Sequence, residues 1–480
     1  MQFKIIRNFS FLTFSKILGD LFFFLFFIIL SRVFGQEGLG QYSFAIAFTG
    51  FFVIFSNFGL YNLSIKDISR QKENYGEYFG GIFLIRLILS FIVFFVMLLI
   101  LTFLSFSTEL KFIIGLIGVY QISYAIFDGL CAVFIAFEDM FFAGFLDFIL
   151  RTSISLIGIY LSLIDYKLHS VILVFPVMTI LISFLTYKIL TNKYGKIQFS
   201  ISFAFIKKKI QEAFTYMLST LLRQISTRID VVLIGFLLGS ATAGIYNAAY
   251  RIIFLFMFIP NFASIAIFPI ISQYYAKHQK KDLTKLCQEL LNWITIIGLP
   301  TAFGLSLIAP ELIELIFGNN FNESATLLRF LAWVLFFSSF KIILSIFLTA
   351  CDRQKERTIC QCYASLVCVL GNVILIKGYG AIGAATAVLF SEIFLTFLLL
   401  IRIKKFLGVL NIIHRFTISS IASVSFFIIL IYFLKLPMFF DIITAIVIYT
   451  LILISFKTIR KNEFQIILIL AKSTLGTAMK

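Results

Sequence analysis

The chain is a succession of apolar runs, each about twenty residues long, separated by short polar or charged connections. A helix rising about 1.5 Å per residue needs about twenty residues to cross a hydrocarbon core of about 30 Å, so each run predicts a transmembrane helix. The runs place helices near residues 10–33, 41–64, 80–104, 111–136, 142–164, 170–190, 212–238, 244–272, 285–308, 325–350, 358–376, 382–401, 416–434 and 440–456. An even number of spans returns the carboxyl terminus to the side of the amino terminus. The longest connection, 191–211, carries Lys207-Lys208-Lys209 and leaves no room for a soluble domain.

A local pattern organises these runs. Gly35-Gln-Glu-Gly-Leu-Gly40-Gln-Tyr42-Ser-Phe-Ala45 and Gly239-Ser-Ala-Thr-Ala-Gly244-Ile-Tyr246-Asn-Ala-Ala249 share the skeleton G-x4-G-x-Y-x-x-A, and the same offset pairs Asn57-Phe58 with Asn261-Phe262. Glycine permits a turn between helices, and tyrosine suits the membrane interface, its ring buried and its hydroxyl wet. The repeat predicts two six-helix bundles in one orientation, residues 1–200 and 201–408, related by an axis along the membrane normal. Residues 409–480 then add two helices and a tail, in which Phe464 to Ala471 is a short apolar stretch that reads equally as a segment at the membrane surface or as a frayed tail. The expected fold is an all-α polytopic membrane protein of about fourteen helices.

Composition agrees: 480 residues, 61% hydrophobic and 13% charged, with mean hydropathy +1.04. The net charge of +17 raises the question of a nucleic-acid partner, but the basic residues are scattered over many short loops. Most of them fall on alternate connections, which the positive-inside rule places in the cytoplasm, while Arg32, Lys111, Lys167, Lys377 and Lys435 fall on the other side. Both termini are therefore expected in the cytoplasm, in a cell membrane with no nucleic-acid partner. The start, Met-Gln-Phe-Lys-Ile-Ile-Arg, precedes an apolar run without a small-residue cleavage site and reads as a retained first helix. The six cysteines fall in predicted helices or at their cytoplasmic ends, which indicates no extracellular disulfide framework. The 63 phenylalanines are lipid-facing and packing bulk.

The informative residues are the ionisable ones inside spans. An ionised side chain at the centre of a span costs about 2.5–3.5 kcal/mol on insertion scales, so these residues should face partners or water. The bases are Lys16, Arg86, Arg151, Arg223, Arg228, Arg251, Arg329 and Lys341; the acids are Asp20, Asp128, Asp147, Asp230 and Glu392. Lys16 and Asp20, and likewise Asp147 and Arg151, are four apart and are expected to pair along one helical face. Arg329 and Arg86, near span ends, have two even readings, reaching the interface or facing partners or water inside the protein. Arg223, Thr227 and Asp230 share a face of the 212–238 helix, whereas Arg228 is rotated away by roughly 140°. With Arg251 on the next helix, they predict a water-filled cavity between the two halves. Bases outnumber acids, so that cavity should prefer an anion, and the planar fork of arginine suits phosphate. Arg223, Arg228, Arg251, Lys16, Arg86 and Lys341 are the candidate substrate-binding residues, with Asn57 and Asn261, the matched asparagines of the repeat. Asp20, Asp128, Asp230 and Glu392 are candidate cavity carboxylates, able either to hold the arginines or to exchange a coupling proton or sodium ion.

Other chemistry is missing from the sequence. It has no G-x4-G-K-[ST] phosphate loop, and His169, His278 and His414 are scattered without a metal-ligating pattern. The acidic stretch Glu311, Glu314 and Glu323 reads as a solvated outer loop. No catalytic constellation, organic cofactor or metal is expected.

The stretch Leu30-Ser-Arg-Val-Phe-Gly-Gln-Glu-Gly-Leu-Gly-Gln-Tyr42 resembles the first outer loop of the polysaccharide and O-antigen flippases, a family of the multidrug/oligosaccharidyl-lipid/polysaccharide exporter superfamily. Arg228-Ile-Asp230, Gly239 to Arg251, Phe268-Pro-Ile-Ile-Ser272 and Tyr379-Gly-Ala-Ile-Gly383 resemble later motifs of the same family. The resemblance implies translocation of an undecaprenyl-pyrophosphate-type oligosaccharide from inner to outer leaflet by alternating access around a cationic cavity. It also implies partners: the bilayer, the lipid-linked glycan and, in the assembly pathway, glycan polymerases, with the flippase itself expected to be a monomer. Asp230 and Arg251 fall on family positions, and the two extra helices would accommodate the lipid tail. The alternatives are a multidrug cation antiporter of the same superfamily, which would favour an acidic cavity, a membrane glycan polymerase or ligase, which would need an outer catalytic loop, and a nontransporting scaffold.

Overall fold

The computed structural model describes residues 2–72, 75–199 and 203–408. The expected spans at 416–434 and 440–456, the tail segment, and with them the whole of 409–480, lie outside the described residues. The chain divides into two compact units, Met1–Gly244 and Ile245–Lys480.

The first unit holds α1 (Gln2–Asn57), α2 (Leu60–Arg70), α3 (Tyr75–Phe103), α4 (Thr108–Ala136), α5 (Met140–Leu163), α6 (Leu168–Tyr194), α7 (Phe203–Leu237) and the first turn of α8 (Ser240–Phe256). The rest of α8 belongs to the second unit. It continues with α9 (Phe258–Ala276), α10 (Lys280–Leu307), α11 (Ala309–Phe317), α12 (Asn322–Ala350) and α13 (Gln354–Leu407). Nine helical stretches among the described residues are long and apolar enough to cross a membrane, and the chain is a multi-pass membrane protein. Helices suit this setting because every backbone N–H and C=O is satisfied within the segment. Hydroxyls inside them bond back to the preceding turn, as Thr49 does to the Ala45 carbonyl and Thr179 to that of Phe175, both at 2.7 Å.

The boundaries differ from the expected ones in physically simple ways. Phe11–Arg70 and Gln354–Leu407 run for 60 and 54 residues. Straight, they would measure about 90 and 80 Å, more than twice the hydrocarbon thickness. The first bends at Gly35, φ 63°, and the second at Gly380, φ 60°, so the expected helix pairs are joined there by a single-residue bend and not by loops. The expected 41–64 helix breaks at Phe58-Gly59, both with positive φ, and α2 begins there. The expected 244–272 helix divides at Met257, and Glu311 and Glu314 lie on α11 instead of in a loop. Tyr42 and Tyr246, expected at the interface, are 4% and 0% exposed; the Tyr42 ring packs 5.8 Å from that of Phe175.

One seam runs the length of the first unit. The second half of α1 packs antiparallel to α7 with small residues at each crossing. A Cβ on Gly59 would come 2.7 Å from the Ala213 carbonyl oxygen, and one on Gly50 would come 2.6 Å from Gln224 Nε2. Gly235 lies under the Phe44 ring, and a Cβ on Gly40 would overlap the Ser240 carbonyl. Gly244 lies against Gly40 in return, and a Cβ there would overlap the Gln36 carbonyl. The two glycine-rich turns thus share a local form, Gly35 and Gly239 both having positive φ, and the second glycines interlock. Close approach through glycine is what packs helices where lipid is as apolar as leucine. In the second unit the core lies between α9, α10, α12 and α13, around Cys287, Leu291, Phe336, Leu344, Phe347 and Leu399.

Candidate functional site

The bases expected in the membrane differ in what they meet: some are held by carboxylates, and some have no hydrogen-bond or ion-pair partner among the described residues. In the first unit Arg151 of α5 joins three helices. Its Nη1 donates to Asp20 of α1 at 2.7 Å and its Nε to Asp147 at 2.9 Å, while Nη2 donates to the Tyr124 hydroxyl of α4 at 3.3 Å. Tyr124 in turn donates to Asp147 at 3.3 Å. Gly19 makes this reach possible: a Cβ there would come 2.8 Å from Arg151 Cδ. The Asp147–Arg151 pair is the one the spacing predicts. The Lys16–Asp20 pair is not formed, because Arg151 reaches Asp20 across the helix interface and Lys16 stays exposed.

Arg86 on α3 does not reach the interface; it is only 3% exposed. Its guanidinium donates to the Asn57 side chain at the end of α1 and lies on Gly129 of α4, where a Cβ would overlap Nη1. Asp128, the residue before that glycine, is half-buried and forms no salt bridge among the described residues. Its nearest electrostatic neighbours are Arg86 and Lys16. Gly129→Ala is therefore expected to displace the Arg86 head and destabilise the first unit by about 1–3 kcal/mol, read as a fall in thermal midpoint in detergent. An unchanged midpoint would mean that the guanidinium has other space to occupy.

Along α7 the pattern changes. Arg223 is exposed and Arg228 half-buried, and neither side chain has a hydrogen-bond or ion-pair partner among the described residues. Asp230, two residues on, is 2% exposed, and its carboxylate accepts the Val231 N–H at 2.8 Å. At the start of the same helix Lys209 bonds Asp67 of α2 at 2.8 Å and Glu212 at 2.9 Å, and the Tyr78 hydroxyl of α3 also donates to Asp67. Burial works against the charge of Lys209, but the bonds to Asp67 and Glu212 hold its ammonium above its usual pKa.

The second unit holds the remaining candidates. Lys341 of α12 bonds Glu392 of α13 at 2.6 Å, with the carboxylate side chain 7% exposed. Arg251 on α8 is half-buried, its guanidinium 5.7 Å from the Phe254 ring centre. Asn261 is exposed and donates to the Met257 carbonyl at 2.8 Å, and Arg329 is exposed near the start of α12. Chemically, Arg151 and Lys341 are held by carboxylates, whereas Arg223 and Arg228 have donor forks available to an anion. Tyr124, which completes the Arg151 cluster, carries no sequence signal, since a tyrosine within an aromatic-rich span looks like packing bulk. All six cysteines are free thiols, Cys362 alone being exposed.

Residues 5–275 match the family described as polysaccharide biosynthesis protein, and residues 216–377 match the MatE family. The chain is 24% identical over 197 residues to the probable low-salt glycan biosynthesis flippase Agl15 of Haloferax volcanii, an alignment spanning 41% of this chain and 39% of that protein. It is 21% identical over 397 residues to the capsular polysaccharide biosynthesis protein CapF of Staphylococcus aureus, covering 81% of this chain and 96% of that one. Among solved structures, the lipid II flippase MurJ in an inward closed conformation superposes with a TM-score of 0.76 at 19% identity, covering 93% of this chain and 96% of that one. An inward-facing multidrug resistance MATE transporter of the MOP superfamily gives 0.66 at 15% identity, covering 82% and 95%. These likenesses give the fold.

Proposed function

Because the chain belongs to the polysaccharide biosynthesis protein family, which it matches from residue 5 to residue 275, we propose that it is a flippase that carries a lipid-linked oligosaccharide from the inner to the outer leaflet. The observation that carries this reading is the pair of unengaged arginines on α7, Arg223 and Arg228. A pyrophosphate offers enough oxygens for both forks, and charge-assisted bonds to phosphate are among the strongest a side chain makes. The sugars stay in a wet interior and the lipid tail in the bilayer.

A multidrug cation exporter would need acidic groups open to its substrate. Asp20 and Asp147 are instead engaged by Arg151, and Glu392 by Lys341, which favours the anionic substrate. The orientation read from loop charge places Lys207 to Lys209 in the cytoplasm and the Gly35 and Gly239 turns outside.

Depleting the protein in its host and labelling lipid-linked glycan with a leaflet-selective probe tests the reading. Glycan is expected to accumulate in the inner leaflet and to clear when the wild-type gene is restored. Delivery to the outer leaflet at the undepleted rate would rule out flipping as the function.

A further inference from the structure

Asp20 and Asp147 come from different helices, α1 and α5, yet both carboxylates converge on the one guanidinium of Arg151. Two carboxylates gathered among apolar helices cannot both remain ionised without a cation between them. That cation is ordinarily exchangeable, a proton or a metal ion. Here it is covalently part of α5, it is always protonated, and its local concentration far exceeds that of any free ion. Its seat is built for it, since the side chain lies across Gly19 and the Tyr124 hydroxyl takes a further N–H.

We propose that Arg151 is a tethered counter-cation. It takes the place between Asp20 and Asp147 that a free monovalent cation, a proton or a cationic substrate group would otherwise occupy, and so makes that pair indifferent to such ions. The charged and titratable groups around the pair are Lys16 on α1, Tyr61 on α2, Arg86 on α3, and Tyr120, Tyr124, Asp128 and Cys131 on α4. Lys16 is exposed and forms no ion pair among the described residues, so it does not substitute for Arg151. The inference goes beyond the flippase reading, and its test needs no glycan.

The test is thermal unfolding of the full chain in detergent, with NaCl replaced stepwise by choline chloride at constant ionic strength. The wild type should have the same midpoint in both salts. Arg151→Ala should unfold several degrees lower in choline chloride and regain part of the loss as Na+ rises or as pH falls, because the bare pair then binds what it lacks. Arg151→Lys, which keeps a tethered charge, should stay insensitive to Na+. If Arg151→Ala does not yield folded protein, the triple variant Asp20→Asn, Asp147→Asn, Arg151→Ala decides the matter. With no charge left to neutralise, it should fold and ignore Na+. Sodium stabilisation of the wild type that Asp20→Asn removes would overturn the proposal. So would an Arg151→Ala protein as indifferent to Na+ and pH as the wild type, or a triple variant that fails to fold.

Discussion

Replacing Arg223 and Arg228 together by alanine is expected to lower glycan translocation about 10²- to 10⁴-fold while leaving the protein folded. Each charge-assisted hydrogen bond to an anion is worth about 1.5–3 kcal/mol, and a factor of ten needs about 1.4 kcal/mol, so losing one such bond from each side chain gives that range. Folding should be spared because neither side chain has a hydrogen-bond or ion-pair partner among the described residues to leave orphaned. The measurement is the rate of appearance of glycan in the outer leaflet of depleted cells supplied with the variant, alongside its yield and monodispersity in detergent. The double lysine variant should fall between, since lysine keeps the charge but not the bidentate fork. A double alanine variant that translocates at the wild-type rate would remove α7 from the substrate path.

The second large effect concerns structure. Gly40→Val should abolish the folded first unit, because a Cβ at that position overlaps the Ser240 carbonyl, a backbone atom that cannot rotate aside. Overpacking against mobile side chains costs about 1–3 kcal/mol, and overlap with fixed backbone belongs at or above the upper end. Gly115→Ala on α4 is the matched control. Nothing lies within 4 Å of a Cβ there, and removing a helical glycine should be neutral or gain up to about 1 kcal/mol. Yield of monodisperse protein and thermal midpoint report both. A Gly40→Val protein as stable as Gly115→Ala would mean that the two turns separate without cost.

Among the described residues the long apolar helices were legible because bilayer-length apolar runs have little alternative to helix. The Gly35 and Gly239 turns were legible because a backbone at positive φ selects glycine, and the same selection left the same letters twice. The Asp147–Arg151 pair followed from helical spacing alone. What spacing cannot supply is the partner on another helix. Spacing offers Asp20 only Lys16, its neighbour on α1, because a sequence shows only the near end of a side chain's reach, and Arg151 lies 131 residues away. Closeness to a span end likewise says nothing about Gly129, which opens a seat for the Arg86 head on another helix. The breaks at Gly59 and Met257 lie within apolar runs that continue past them, so hydropathy carries no mark of either.

The seam between α1 and α7 also sets the order in which the molecule can be made. Translation adds about 5–20 residues per second, so the second half of α1 is complete roughly 10–40 s before Ser240 and Gly244 leave the ribosome. During that interval Gly40, Gly50 and Gly59 face no partner, and the polar backbone beside them lacks the cover α7 later gives. Ser240 and Gly244, which close the seam, are among the last residues of the first unit. The insertion machinery must shelter a half-built seam until the second turn arrives to close it.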